Sequence, residues 1–430
     1  MNVVVHRRNA CRICRSDQLR RFLHFDNIPF TDGFLRPGNR SREFTAPLDL
    51  YWCDECHVVQ TQHDVEVADY YRDYRYTVSE SDFARHFMQR LAEETFRRFE
   101  FQRGWGVIEI GSGDGYQLGC FQALGARVLG FEPSHELTQA SLAAGVPVIE
   151  CLFTPETARE IPPEMRPAQA VLLTYTFDHL PDPVPFLGAV REILDPKRGV
   201  LIIEVHDLGK IVSRLETCLF EHEHPIYLNL RTMKRLLERE GFRLLNDDLV
   251  PEKERRANSL LVCAALESSE HAAGKGDRSL LCPAPSGPTG KRLLSPFPAD
   301  LDALEEWATY EEFADRVHRG YERMRRYVRS GKKKGIRFAG YGAGGRGVLT
   351  LVMAGFTPKD IEFVCDRNVS LHGLLTPGSR IPVVPPEHLL ADPVEEVIVF
   401  SFGYMEEIKR ALGEYLRRGG RLVSFLDLFR

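Results

Sequence analysis

Val107-Ile108-Glu109-Ile110-Gly111-Ser112-Gly113-Asp114-Gly115 reads as a buried strand running into a glycine turn, and the following YQLGCFQALG (116–125) reads as a helix. A second apolar strand, RVLGFEP (127–133), comes next and ends on Glu132 and Pro133. Strand, glycine turn, helix and strand make the first unit of a parallel α/β sheet, and ligands of such sheets bind beyond the carboxyl ends of the strands. Glycines allow the backbone to approach a ligand closely and to take positive φ.

The charge of this loop narrows the ligand. A helix N-terminus favours a pyrophosphate, but here Glu109 precedes the turn and Asp114 lies inside it. Carboxylates repel phosphate and suit the cationic sulfonium and amino group of S-adenosylmethionine (SAM). Glu132 is placed to take the hydroxyls of an adenosine ribose. The cofactor-binding set expected from the motif is Glu109, Gly111, Gly113, Asp114, Gly115, Glu132 and Pro133.

Downstream, the α/β pattern continues. VLLTYTF (171–177) and VLIIEVH (200–206) read as strands. PVPFLGAVREILDP (183–196) and LNLRTMKRLLEREGF (228–242) read as helices, one stopped by proline and the other by glycine. Upstream, SDFARHFMQRLAEETFRRF (81–99) repeats apolar residues at helical spacing. From 266 to 300 the chain turns rich in Ser, Gly and Pro and reads as a linker. A second βαβ series then starts at IRFAGYGAGGRG (336–347). Its loop carries Arg346 and no acid, which suits an anion, a diphosphate from NAD(P) or from a nucleotide sugar. The acid-ended strand Val364-Cys365-Asp366 follows about 20 residues later, as in dinucleotide folds.

At the other end, Cys11-Arg-Ile-Cys14 and Cys53-Asp-Glu-Cys56 supply four thiolates, the donor set of a closed structural zinc site. The remaining six of the ten cysteines are scattered, mostly in apolar runs, and read as small core residues. The expected architecture is therefore α/β, with a zinc-binding module (1–69), a class I methyltransferase domain (70–265), a linker (266–300) and a C-terminal Rossmann-like domain (301–430).

With 430 residues, a net charge of −5 and 27% charged residues, the chain is ordinary globular protein. No global field favours nucleic acid. No apolar run approaches the roughly 18–20 residues of a membrane span, and no signal peptide is evident, so a cytoplasmic enzyme is expected. Nothing in the sequence sets the oligomeric state.

A last cluster carries acid–base chemistry. Glu221-His222-Glu223-His224, Glu204-Val205-His206-Asp207 and Thr176-Phe177-Asp178-His179 all lie at or beyond carboxyl ends of predicted strands. Histidine is the usual base near neutral pH, and a neighbouring carboxylate orients it. The same residue types, the 222–224 run with His206 and Asp207, are also metal-ligand types, as in a metal-dependent O-methyltransferase.

Taken together, the paired CxxC, Tyr74-Arg75-Tyr76, EIGSGDGY, the His-Glu-His run and GYGAGGRG…DRN…TPGSRIPVVPPEHLL resemble the sugar C-methyltransferases of deoxysugar and antibiotic biosynthesis. The resemblance implies a structural zinc, SAM in the middle domain, and a nucleotide-linked 4-keto-deoxysugar between the middle and C-terminal domains, with no NAD. It implies that His224 removes the α-proton, Glu223 positions it, His179 is an acid–base partner and Tyr76 lines the sugar pocket. Glu221 joins the catalytic group, and His222, Tyr341, Gly342 and Arg346 join the substrate set. Departures surround the acceptor: Glu221 stands where the family typically has Tyr, His206-Asp207 replaces a Pro-containing strand end, and Arg346 stands where Lys is usual. O- or N-methylation of a related acceptor, and an NAD(P)-dependent oxidoreductase, are the alternatives.

Overall fold

The computed structural model describes residues 4–39, 43–65, 71, 72, 79, 81–246, 249–255, 258–273, 301–401 and 405–429. Two glycine-loop strands each seed a sheet. Around β6 (Gly106–Ile110) stand β7 (Arg127–Phe131), β8 (Val148–Ile149), β9 (Ala170–Thr174), β10 (Val200–Val205), β12 (Phe242–Asn246) and β13 (Leu260–Leu266), in the order β12-β13-β10-β9-β6-β7-β8. The first five strands in sequence are parallel, whereas β13 enters antiparallel between β10 and β12. Counted from β6, the order is 3-2-1-4-5-7-6 with an inverted last strand, the class I SAM-methyltransferase arrangement. An all-parallel sheet was the sequence expectation. Among the described residues the return from β12 to β13 carries one 3-10 turn (Glu252–Glu254) and no crossover helix of the kind that brings a parallel strand back, in keeping with the inversion. Helices α1 (Asp82–Arg98), α2 (Tyr116–Ala123), α3 (His135–Ala143) and α4 (Pro183–Ile193) accompany the sheet, with α5 (Leu208–Arg214) and α6 (Leu230–Arg239) after β10. Ser81 caps α1 through Ala84 N, and Asn229 closes a capping box with Thr232 on α6.

The C-terminal sheet is wholly parallel, β16 (Val383–Val384), β15 (Val364–Cys365), β14 (Phe338–Tyr341), β17 (Glu396–Val399) and β18 (Arg421–Ser424) in that order. The long helix α7 (Trp307–Lys333) precedes it, and α8 (Gly345–Met353) opens directly from its glycine loop. Residues 421–426 are a strand only to Ser424; Phe425 begins a final short helix. Of the stretch expected as linker, a short helix at Glu270–Ala273 follows β13, and 274–300 lies outside the described residues.

The N-terminal module is antiparallel: β2 (Leu19–Ile28), β3 (Ala46–Cys53) and β4 (Val59–Thr61), with β1 (Val5–Arg7) pairing β5 (His63–Val65) beside them. Its fourth strand comes from elsewhere: β11 (Ile226–Tyr227) pairs with β4, directly after the His-Glu-His run. One apolar core joins Leu23, Leu48 and Trp52 of this module to Phe220, Phe313 of α7 and Phe425; a second joins Cys11 and Cys53 to one face of the β6 sheet. The module thus packs on both α/β sheets. Among the described residues no helix is long and apolar enough to cross a membrane.

Candidate active site and metal centre

Two equivalent turns of the same hand hold the thiolates. Arg15 N donates to Cys11 O at 3.1 Å and His57 N to Cys53 O at 2.9 Å; Arg15 and His57, each four residues past the first Cys of its pair, have φ of 67° and 62°. Cys11 and Cys56 Sγ are 3.5 Å apart, as are Cys14 and Cys53, and all four sulfurs lie within 4.8 Å of one another. Zn–S bonds of about 2.3 Å imply tetrahedral S···S edges of about 3.8 Å, so four thiolates at this spacing fit zinc. Gln60 Nε2 donates to Cys11 Sγ at 3.1 Å, the outer support such ligands need. Cys218, Cys263 and Cys365 are buried and Cys120 and Cys151 half-buried; Cys282 lies outside the described residues.

At the β6 turn, Gly111, Gly113 and Gly115 all have positive φ (72°, 55° and 78°). A Cβ on Gly111 would stand 2.4 Å from Thr176 Oγ1, and one on Gly115 2.4 Å from Ser141 Oγ; a Cβ on Gly113 would meet no atom within 4 Å. The loop is therefore packed on two sides and open at Gly113, the cradle a cofactor would fill. Glu132 accepts from Gly113 N at 2.9 Å and Ser134 N at 2.8 Å, which ties the β7 end to the loop. Burial, reinforced by the charge of Asp114, pushes the Glu132 carboxyl up despite those bonds. Asp114 accepts from Tyr116 N at 3.1 Å and from the Ser79 hydroxyl. Glu109 lies beneath the loop, where its Oε1 takes bonds from Gln117 Nε2 (2.6 Å) and Thr174 Oγ1 (3.3 Å). Glu132, Asp114, Pro133 and the open Gly113 turn are the groups that would hold SAM; Glu109 shapes the turn from below.

Beyond β9 the backbone turns sharply: Tyr175 takes φ 53°, an uncommon setting for a side chain of this size and the kind found at functional sites. The turn brings Thr176 against Gly111 and Asp178 and His179 to the sheet edge. There His224 and His179 rings meet edge-on at 4.6 Å, and His206 lies 4.9 Å from His224. Tyr71 Oη bonds His179 Nδ1 at 2.7 Å. Asp178, almost fully buried, bonds His206 Nδ1 at 2.8 Å. His224 Nδ1 bonds the Leu219 carbonyl at 3.1 Å; only a donor satisfies a carbonyl, so Nε2 carries the lone pair. Burial, with the neighbouring His179, pushes His224 down to about 3, and burial pushes His179 down as well, so both are neutral near pH 7.

The rest of the run disperses. His222, buried, bonds the Ile28 carbonyl at 2.9 Å and packs edge-on to Phe30 and Phe44. Burial pushes it down to about 4. Glu223 is buried. Glu221 reaches the second glycine loop: Thr31 Oγ1 donates to it at 3.4 Å, and its Oε1 would be 3.6 Å from a Cβ on Gly345. Burial, then the charges of Glu223 and Asp32, push the Glu221 carboxyl well up, toward the neutral acid, which donates a hydrogen bond and does not repel an oxyanion. Asp207 is turned away as the N-cap of α5, accepting from Gly209 N at 2.8 Å, so Asp178 and not Asp207 completes the histidine cluster. In the second loop, Gly342 (φ 98°) leaves no room for a side chain beside Ser401, Ala343 N donates to Asp366 Oδ2 at 2.6 Å, and Gly344 faces open space. Tyr341 is buried at the end of β14 and Arg346 half-buried in the first turn of α8. Tyr76 lies outside the described residues. Sequence reasoning assigned no role to Asp178, Tyr71 or Thr31; the acid beside His179 at a strand end was the one visible signal.

Comparison with known proteins places three family models in tandem along the chain. They are "Putative zinc binding domain" at 11–71, "Methyltransferase domain" at 83–246 and "C-methyltransferase C-terminal domain" at 300–426. The chain is 28% identical over 424 residues to C-methyltransferase NovU of Streptomyces niveus, spanning 98% of this chain and 96% of that protein. Among solved structures it is similar to the PH0226 protein from Pyrococcus horikoshii OT3 (18% identity, 46% of this chain and 98% of that one, TM-score 0.36). It is also similar to the plantazolicin methyltransferase BpumL in complex with SAH (14% identity, 44% and 86%, TM-score 0.35).

Proposed function

We propose, from the premise that the chain belongs to the SAM-dependent C-methyltransferases that join these three modules, that its acceptor is the carbon next to the ketone of a nucleotide-linked 4-keto-deoxysugar. SAM supplies the electrophilic methyl group when bound. The chain's own residues make the carbon nucleophilic. His224 Nε2, neutral and with Nδ1 held on Leu219 O, takes the α-proton; Glu223, the preceding residue, positions it, and His179, itself held by Tyr71, is the acid–base partner. Orientation of these groups supplies most of the acceleration.

The observation that carries this reading is the packing of Thr176 on Gly111, which ties to the cofactor turn the segment bearing His179, whose ring clusters with those of His224 and, through it, His206. The 221–224 run supports the substrate class. Glu221 lies at the Gly345 turn and His224 in the histidine cluster, three residues apart and so no more than about 11 Å along the backbone. A diphosphate at Gly344, Gly345 and Arg346 and a sugar at His224 would span that distance, with Tyr341 and Gly342 flanking the anion; His222, expected in the substrate set, is instead committed to the Ile28 carbonyl.

The test is a mass-shift screen of the purified protein with SAM and a panel of 4-keto nucleotide sugars. One added methyl, with solvent deuterium entering the α-carbon, is expected. Methylation of oxygen or nitrogen without deuterium uptake would replace this reading.

A further inference from the structure

Beside His224 lies a pair with no part yet in the chemistry, Asp178 and His206. Asp178 is 3% exposed. Its Oδ2 accepts from His206 Nδ1 at 2.8 Å and from the His206 backbone N–H at 3.3 Å, while Oδ1 has no hydrogen-bond partner among the described residues. His206 directly follows β10, is half-buried, and faces His224 and the ring of Tyr175, 4.6 Å away.

We propose that His206, oriented by Asp178, is a further catalytic residue: it presents its Nε2 proton to the acceptor's ketone oxygen while His224 takes the α-proton. This rests on the function proposed above and adds the acid to its base.

Geometry separates the rings. Among the described residues only His206 donates to the Asp178 carboxylate, so its ring is the one whose Nδ1 proton is fixed by that contact and whose Nε2 is left for a second partner. Burial alone would push Asp178 up; the hydrogen bond from His206 Nδ1 opposes this, and Asp178 is held down, as a carboxylate. His224 is left neutral with Nε2 open. A ring whose Nδ1 is held on a carboxylate beside a ring whose Nδ1 is held on a carbonyl is an arrangement suited to a paired acid and base. Asp178 is then a positioning residue, fixing the tautomer of His206 as carboxylates commonly do.

The step balances. His224 Nε2 takes the α-hydrogen as a proton. The C–H electron pair becomes the enol C=C, the carbonyl π pair moves onto oxygen, and the His206 Nε2 proton passes to that oxygen. Imidazolium and imidazole have exchanged places, so no net charge is created. When the enol C=C pair forms the new carbon–carbon bond to the methyl group that SAM would supply, with the methyl–sulfur bonding pair left on sulfur, the ketone re-forms and the oxygen returns its proton to His206; the proton on His224 leaves to solvent.

Asp178, His206 and His224 also offer ligand atoms within 4.8 Å of one another, a spacing a divalent cation could bridge; that is an outcome of the test. The experiment uses the full-length zinc-loaded protein with His206→Gln and Asp178→Asn. The probe is thymidine diphosphate 4-keto-6-deoxyglucose with SAM. His206→Gln should lower kcat by about 10²-fold or more, leave affinity for S-adenosylhomocysteine (SAH) unchanged, and remove the high-pH limb of the kcat profile. Asp178→Asn should shift that limb. A strongly downfield imidazole N–H proton resonance should be present in the wild type and absent in both variants. Wild-type kcat and pH profile in His206→Gln, absence of the resonance, or a second metal equivalent lost in that variant would each overturn the proposal. If the wild type fails to methylate the probe, the failure falls on the substrate assignment, and the resonance still decides whether the pair exists.

Discussion

Two of the three glycines of the β6 turn, Gly111 and Gly113, should fail in opposite ways. Gly111 and Gly113 both have positive φ, which costs an alanine about 1–2 kcal/mol. At Gly113 that is the whole expected cost to folding, because its Cβ would meet nothing. At Gly111 the new Cβ would lie 2.4 Å from Thr176 Oγ1 and 3.0 Å from Cγ2, so Thr176 must move; overpacking of this kind adds about 1–3 kcal/mol. Gly111→Ala should therefore cost about 2–5 kcal/mol of stability. Thr176 precedes Asp178 and His179 by two and three residues, and a displacement of about 1 Å at a reacting group can cost about 10²-fold in rate. Gly113→Ala should lower the melting temperature only modestly, less than Gly111→Ala does, but weaken SAH binding by about tenfold or more, equal to about 1.4 kcal/mol, because its methyl occupies the open cradle. Calorimetric titration with SAH and thermal melting of both variants decide the matter. Wild-type SAH affinity in Gly113→Ala would mean that the cofactor does not lie over this turn. A wild-type melting temperature in Gly111→Ala would mean that the Thr176 contact does not constrain the loop.

His224→Ala should lose about 10²–10⁴-fold in turnover with SAH affinity kept; turnover at the wild-type rate would remove His224 as the base. Because burial holds Glu221 toward its neutral form, Glu221→Gln should keep most activity and Glu221→Ala should raise KM for the nucleotide sugar; equal loss in both would show that its charge is used. Cys56→Ser should reduce bound zinc, measured by elemental analysis. It should impair turnover more than SAH binding, since β4 carries β11 and with it the run ending at His224. His222 and His224 are pushed to about 4 and about 3 by burial, below an unfolded value near 6.5. The unfolded chain then binds more protons, so their contribution is complete above about pH 6.5 and is lost as pH falls toward 4. Melting temperature should drop across that window, and His222→Gln should flatten the drop.

Much of this molecule was legible in order along the chain. Periodicity and glycine placement located the strand–turn–helix units at 107–125 and 336–353, because backbone freedom at a turn and apolar spacing on an element are local properties. The two CxxC pairs announced a four-thiolate site for the same reason, since each turn is built within six residues. The inverted β13 was not legible: a buried strand reads the same in either direction. Nor was the destination of four consecutive residues, Glu221 to the C-terminal loop, His222 into the zinc module, Glu223 to the interior and His224 to the histidine cluster. Neither the backbone pairing of β11 with β4 nor the choice of Asp178 over Asp207 leaves a mark in sequence spacing. Contacts between segments far apart in the chain are decided by how sheets pack and which edge is left to pair, and that is fixed only when the whole core forms.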